Sequence, residues 1–215
     1  MRVNHATTIL AILLMCLPSA VATSSEISFL GVTSHPGADG SRAVAIGPSG
    51  EYLAVGYNDH AAIMWLENET LIQSIEVSRP VETLEFSNDG ELLAIALSGS
   101  ETESDAIQLF NITLMEMTTL QSTANAFPKD IAWSPDDTLL AIPNPNNGVD
   151  LIRTSTMELE RSLSGGHNTD VTCIDFTSNG GHILSGDESG RLLMWNADGT
   201  ETNKQWELNS EVASC

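Results

Sequence analysis

A short turn pattern recurs along the chain at nearly constant spacing, and this period constrains the fold more than any other feature. The turns are GPSG, SNDG, SPDD and TSNG, which end at Gly50, Gly90, Asp137 and Gly180 and lie 40, 47 and 43 residues apart. A fixed period of this length is typical of architectures that repeat one supersecondary unit. The chain is therefore expected to consist of similar units packed side by side.

Apolar residues alternate around each turn. A large apolar side chain stands four positions before the end of each turn, and another stands two positions further back. These positions hold Val44, Ile46, Leu84, Phe86, Ile131, Trp133, Ile174 and Phe176. A short apolar core also begins three residues after each turn. Period-two alternation predicts strands with one packed face on both sides of the turn.

A further apolar column marks a third strand. Trp65, Ile152 and Trp195 each lie 15 residues beyond their turn, whereas Phe110 lies 20 beyond because SGSETESDA adds a polar loop. A more variable fourth strand follows. Each unit is thus predicted to be a four-stranded antiparallel sheet. The units span residues 41–79, 80–127, 128–168 and 169–209.

A single sheet of this kind cannot bury both of its faces. Radial stacking buries each sheet against its neighbours, which predicts an all-β fold of the β-propeller class with four blades present. The segment SEVASC, residues 210–215, aligns with TDVTCI, residues 169–174, and is expected to start a further unit. Residues 26–34 are interpreted as a lone outer strand. These features predict a fragment of a longer propeller, an incomplete seven-bladed ring.

Residues 165–196 carry the most specific pattern. They contain a Gly-His pair ending at His167, a Ser-Gly pair beginning at Ser185, and Trp195 followed by Asn. This stretch resembles a WD40 repeat. The resemblance implies a buried network of a His, a Ser or Thr, an Asp in the turn before the third strand, and the Trp. His167, Ser185 and Trp195 match that network, while Ser189 stands at the position of the Asp.

The first unit fits the same resemblance differently. Asp59 and Trp65 match the network, but Val55 replaces the hydroxyl residue and no Gly-His pair precedes it. The resemblance covers residues 41–215, with one good repeat and three degenerate ones. It implies a platform that binds another protein through its loops and its top surface.

The first 22 residues are expected to be a secretory signal peptide. Arg2 precedes an apolar run at 9–17, and the small residues Ala20 and Ala22 frame the cleavage position. The run is shorter than the roughly 20 apolar residues that span a bilayer. Residues 23–215 are therefore expected to form one partial propeller domain that is secreted or extracytoplasmic, with no stable membrane insertion after cleavage.

The charge balance limits the possible partners. The sequence has 29 Asp and Glu against 8 Lys and Arg, a formal net charge of -21. Nucleic acid is a poor partner, because binding it requires clustered basic residues. A protein partner of unknown identity is expected instead. After cleavage only Cys173 and Cys215 remain, so a fold held by disulfides is not expected.

The sequence lacks the usual motifs for catalysis or for binding phosphate or a metal. No catalytic residue, cofactor or metal site is therefore predicted. His167 has no Cys, His or carboxylate at ligand spacing, which favours a structural role. The acids of Asp136-Asp137 and Asp187-Glu188 occupy turns, where Asp is favoured for local backbone bonding.

A catalytic alternative remains open at this point. An extracytoplasmic propeller enzyme of the lactonase, lyase or quinoprotein kind would hold its site in the central channel. The acids Glu82, Asp130 and Asp170 begin successive first strands and would line that channel. They suit a solvated channel mouth equally well.

Two sequons follow predicted third strands. They begin at Asn68 and Asn111. Both are possible glycosylation sites if the host modifies secreted proteins in this way.

Overall fold

A computed structural model describes most of the chain from residue 41 onwards. The described ranges are 41–68, 70–98, 107–120, 128–199, 204–208, 210–212 and 214–215. The predicted signal peptide and the predicted lone strand at 26–34 lie outside these ranges. The described residues form strands and turns and contain no helix, so none of them forms a helix that could cross a membrane.

The strands group into four sheets, which we call blades 1 to 4. Blade 1 contains β1 (Ala43–Ile46), β2 (Tyr52–Gly56), β3 (His60–Trp65) and β4 (Leu71–Glu76). Blade 2 contains β5 (Val81–Phe86), β6 (Leu92–Leu97), β7 (Ile107–Asn111) and β8 (Glu116–Leu120). Blade 3 contains β9 (Ala132–Trp133), β10 (Leu139–Asn144), β11 (Gly148–Arg153) and β12 (Glu158–Leu163). Blade 4 contains β13 (Val171–Phe176), β14 (His182–Asp187), β15 (Arg191–Asn196) and β16 (Lys204–Glu207).

Each blade is an antiparallel meander in which every strand pairs with the next one along the chain. This topology confirms the prediction of an all-β fold with four four-stranded blades. The repeated turns lie between the first and second strands of each blade. The period in the sequence is therefore the period of the blades.

The blades are held together by apolar packing between their faces. Each blade places its larger apolar side chains against the smaller side chains of the preceding blade. Phe86, Leu93 and Ile95 of blade 2 share a core with Ala54 and Ile63 of blade 1. Trp133, Leu140 and Ile142 of blade 3 share one with Ala94 and Ala96 of blade 2. Phe176, Ile183 and Trp195 of blade 4 share one with Ala132 and Ala141 of blade 3.

Two glycines allow the chain to cross closely onto the preceding blade. A Cβ at Gly56 would lie 2.5 Å from a methyl of Val81, and a Cβ at Gly186 would lie 2.6 Å from Val212. Each valine N–H donates to the carbonyl of the residue after the glycine, at 2.9 Å and 3.2 Å respectively. Val212 thus occupies on blade 4 the position that Val81, the first residue of β5, occupies on blade 1.

The register of blade 1 corrects the prediction for Trp65. Leu53 pairs with Met64, which therefore takes the place that Trp195 has in blade 4. The hairpin of blade 1 is one residue shorter, and a shift of one residue turns a side chain to the other face of the sheet. Trp65 pairs with Tyr52, with ring centroids 4.8 Å apart, and is 40% exposed.

The cysteines correct a second prediction. Cys173 and Cys215 form a disulfide with Cα atoms 5.4 Å apart and a sequence separation of 42. The number of cysteines in the sequence did not reveal this bond. It depends on the chain returning at Val212 to the side of β13, which spacing alone does not show.

We predict that Gly56→Ala weakens the packing of blades 1 and 2. The new methyl group would overlap Val81, and overpacking of this kind costs about 1–3 kcal/mol. Gly47→Ala is the matched control, because its Cβ would have no neighbour closer than 3.4 Å. Urea unfolding of the two variants checks this. Equal losses of stability in both variants would contradict the close approach at Gly56.

Candidate protein-interaction face

The blade topology sorts the turns onto two sides of the array. Because the strands of a blade alternate in direction, the turns after the first and third strands lie on one side. We call this side the turn face. The turns after the second strands, and the connections between blades, lie on the opposite side. The repeated turns found in the sequence are therefore all on the turn face.

A shared hydrogen-bond scheme explains the sequence of these turns. In blade 2, the hydroxyl of Ser87 donates to the carboxylate of Asp89 at 2.7 Å and accepts from the N–H of Leu92 at 2.9 Å. Blade 3 repeats the scheme with Ser134, Asp136 and Leu139. Blade 4 repeats it with Thr177, Asn179 and His182. The paired acids of the turns thus have local structural roles.

Asp137 links two neighbouring turns. It adopts a φ of 56° at the position where the other turns have glycine. Its carboxylate accepts from the N–H groups of Asn88 at 2.7 Å and Asp89 at 2.9 Å. The Asn88 side chain also donates to the carbonyl of Ser134 at 2.9 Å. The first turns of blades 2 and 3 are therefore tied into one unit.

Large apolar side chains are exposed at the outer part of the turn face. Within the described residues they are Trp65, Leu71, Leu114, Met115, Met117 and Leu159. They come from the third turns and adjoining strand ends of blades 1, 2 and 3. Leu114 reaches 65% exposure. Exposed apolar residues grouped in this way mark interaction surfaces, and Trp and Met are favoured in them.

Acidic side chains surround these apolar residues. Those exposed on the turn face include Glu51, Glu67, Asp89, Glu91, Glu116, Asp136 and Glu158. The basic residue Arg153 also lies there, and its guanidinium contacts Glu160 at 2.6 Å. The face therefore combines apolar contact area with negative charge.

Three carboxyl groups interact along the first strands. They are Glu85 of β5, Asp130 just before β9, and Asp175 of β13. Burial, reinforced by the charges of Asp130, Asp175 and Asp137, raises the pKa of Glu85 from 4.5 to about 8. Burial also raises the pKa of Asp130, from 3.8 to about 6. Glu85 therefore retains its proton at neutral pH.

Asp130 also links blades 3 and 4. Its carboxylate accepts from the N–H of Ile131 and from that of Ile174 in β13, both at 3.0 Å. The indole N–H of Trp133 links blades 2 and 3 in a similar way, by donating to the Glu85 carbonyl at 3.2 Å. The first strands are thus connected by polar contacts across two blade junctions.

Only Asp130 of the three predicted channel acids belongs to this cluster. Glu82 instead forms an ion pair with Arg42 at 2.7 Å. The two missed acids, Glu85 and Asp175, each directly precede the large apolar residue of a first strand. Alternation turns them away from the core face, and that repeated position is the signal that could have identified them.

The structure brings His167, Ser185 and Trp195 into one buried chain of hydrogen bonds. An indole N–H only donates, so Trp195 donates to the Ser185 oxygen at 2.8 Å. Ser185 must then donate to Nε2 of His167 at 2.7 Å. Nδ1 of His167 therefore carries its proton and donates to the carboxylate of Asp187 at 2.8 Å.

Sequence reasoning missed Asp187 as the acid of this network and assigned its position to Ser189. Burial would raise the pKa of Asp187, but bonds from Ser189, from the N–H of Arg191 and from His167 lower it overall. Burial lowers the pKa of His167, although Asp187 opposes that effect. A neutral imidazole beside a carboxylate agrees with the hydrogen-bond directions.

Blade 1 does not bring Asp59 and Trp65 into such a network. Asp59 contacts Nδ1 of His60 at 2.6 Å, and its side chain is 69% exposed. Tyr57 stacks on the His60 ring with centroids 4.4 Å apart. Tyr57 follows Gly56 as Asp187 follows Gly186, so an aromatic pair replaces the acid at this corner of blade 1.

Blade 3 contains another polar cluster that the sequence did not predict. The buried carboxylate of Asp150 accepts from the amide of Asn144 at 2.8 Å and from the hydroxyl of Ser162 at 2.6 Å. These contacts join the three outer strands of the blade. They indicate a structural role, since every group has a partner.

The two sequons lie at the turn face. The side-chain oxygen of Asn68 accepts from the N–H of Thr70 at 3.0 Å in an exposed turn. That of Asn111 accepts from the N–H of Leu114 at 2.7 Å, and the intervening Ile112 is buried. Glycosylation at either site stays a prediction.

The four radial sheets define a β-propeller repeat protein, a fold that suggests a protein-interaction scaffold. A family model described as IFT140 first beta-propeller matches residues 71–212. The chain belongs to this IFT140 first beta-propeller family. No curated protein matches the sequence.

We predict that Ser185→Ala lowers the free energy of unfolding by about 2–4 kcal/mol. The change leaves the Trp195 indole N–H and the His167 Nε2 without their shared partner in a dry core. Ser178→Ala, at an exposed position of the nearby turn, is the control and should be nearly neutral. Denaturant unfolding measures both. If the two variants unfold at the same midpoint, the network does not contribute to stability.

We predict that the chain loses stability as the pH rises, and that Glu85→Gln reduces this loss. An acid whose pKa is raised by folding contributes most below its unfolded value, near 4.5, and this contribution disappears as the pH passes about 8. Each pKa unit corresponds to about 1.4 kcal/mol, so the effect amounts to a few kcal/mol at most.

The measurement is unfolding by urea between roughly pH 5 and 9. Glu91→Gln, which removes an exposed carboxylate, should leave the slope of the wild-type curve. Parallel curves for the wild type and Glu85→Gln would show that Glu85 is not the group responsible.

Proposed function

We propose that the chain is a secreted, WD40-like propeller that binds a partner protein through its turn face. The exposed apolar cluster on that face carries this proposal. Six large side chains from three successive blades stand at its outer part, beside turns that are tied by hydrogen bonds. A rigid base lowers the entropic cost of presenting such a surface.

The charges favour a particular kind of partner. Acids outnumber bases on the turn face, as they do in the whole chain, where the formal net charge is -21. A partner that presents basic residues around an apolar patch would be steered towards this face and oriented on it. We therefore propose a basic and apolar protein surface as the ligand.

The WD40-like character is supported by blade 4. Its hydrogen-bond chain from Trp195 through Ser185 and His167 to a carboxylate has the residue types that this resemblance implies. The acid comes from Asp187, which is not the position expected. Blade 1 lacks the arrangement. The proposal is therefore WD40-like and rests on one blade.

A location outside the cytoplasm is supported by two features. The first 22 residues have the charge and hydropathy layout of a secretory signal. The Cys173–Cys215 disulfide is of a kind that persists in oxidising compartments and is rare in the cytosol.

A catalytic function in the channel draws on a different observation. Buried carboxyl groups with raised pKa values, such as Glu85 and Asp130, occur often at active sites. Both have structural explanations here, because Asp130 binds two backbone N–H groups and Glu85 lies beside it. Among the described residues, no three His, Cys, Asp or Glu side chains are placed to hold a metal ion. We therefore favour the binding function.

The binding proposal predicts a difference between the two sides of the propeller. A turn-face variant, Trp65→Ala with Leu71→Ser and Leu114→Ser, should bind a partner purified from the extracellular fluid at least about tenfold more weakly. Trp206→Ala with Leu208→Ser removes similar exposed residues from the opposite end of blade 4 and should bind normally.

Calorimetry at two salt concentrations measures both the affinity and its electrostatic part. A basic partner should bind more weakly at higher salt. The turn-face assignment fails if the control variant loses as much affinity as the turn-face variant. Stoichiometric metal in the purified protein would instead favour the catalytic alternative.

A further inference from the structure

We propose that Cys173 and Cys215 form a redox-sensitive clasp on blade 4. In the oxidised form, the disulfide holds residues 210–215 against the face of blade 4 that points away from blade 3. In the reduced form, this segment separates from the face. The device is independent of the turn face and goes beyond the proposed binding function.

The non-covalent contacts of the segment are few. Val212 is its buried side chain, with 6% exposure, and it packs on Gly186. Its N–H donates to the carbonyl of Asp187 at 3.2 Å, and its carbonyl accepts from the hydroxyl of Thr172. Ser210, Glu211, Ser214 and Cys215 are exposed. These contacts oppose the conformational entropy of the whole segment, so the covalent bond is expected to decide whether it stays ordered.

The two sulfur atoms differ in accessibility. Cys173 lies within β13 and is fully buried, whereas Cys215 is exposed. A dithiol reductant can therefore attack the sulfur of Cys215, and Cys173 leaves as a thiolate. The reductant supplies two electrons and two protons and becomes a disulfide, while both cysteines become thiols.

Opening the clasp affects a defined part of blade 4. The corner at Gly186 loses Val212, and the carbonyl of Asp187 loses a donor. The same Asp187 holds the His167 ring through its carboxylate. Reduction therefore uncovers the face beside β13 and removes one support from the residue that ends the buried network.

The test compares the full chain before and after reduction with a small dithiol. We expect the Val212 amide to exchange hydrogen at least tenfold faster after reduction and to recover on reoxidation. The midpoint of thermal unfolding should fall by roughly 10 °C, from the loop-closure entropy of a 42-residue separation. Cys215→Ser should behave like the reduced protein under both conditions.

Two controls keep the result specific. Cys16→Ser should respond to the dithiol as the wild type does, because Cys16 is not part of the pair. Reduction of the wild type itself provides the answer if Cys215→Ser folds poorly. Alkylation of both cysteines in protein secreted without reductant would overturn the proposal. So would an exchange rate at Val212 that does not change on reduction.

Discussion

The packing of large apolar side chains on small ones at the blade junctions is the interaction on which the whole structure depends. A four-stranded sheet cannot bury both faces, so Phe86 and Trp133 become core residues only when a neighbouring blade supplies alanines beneath them. The asymmetry also fixes the order of packing. Each blade has one face for its predecessor and another for its successor, so neighbouring blades stack in a single direction.

Polar contacts add precision to this packing at its two ends. Asp137 ties the turns of blades 2 and 3, and Asp130 ties a loop of blade 3 to a first strand of blade 4. Such contacts contribute modestly to stability because they replace bonds to water. Their main effect is to hold the turns in fixed positions. The apolar side chains of the turn face are therefore presented from a defined base.

The sequence predicted the blades well, because period and alternation report directly on sheets with packed faces. It predicted single positions less well. Trp65 was misplaced because one residue fewer in a hairpin reverses the face, and counting from the turn does not reveal that change. Asp187 and the Cys173–Cys215 bond were missed because they depend on how distant segments meet. Alternation locates a strand, but contacts between segments require the fold.

The acidic composition is also distributed by structure. Carboxylates with local partners, such as Asp136 in its turn, accept hydrogen bonds that favour the charged form, and the pKa of Asp136 is lowered accordingly. Glu85 has the opposite environment, in which burial and neighbouring acids favour the neutral form. A chain with so many acids can therefore place one more carboxyl beside the channel without adding a full charge there. The remaining charge stays on the exposed turn face, where it repels acidic partners and attracts basic ones.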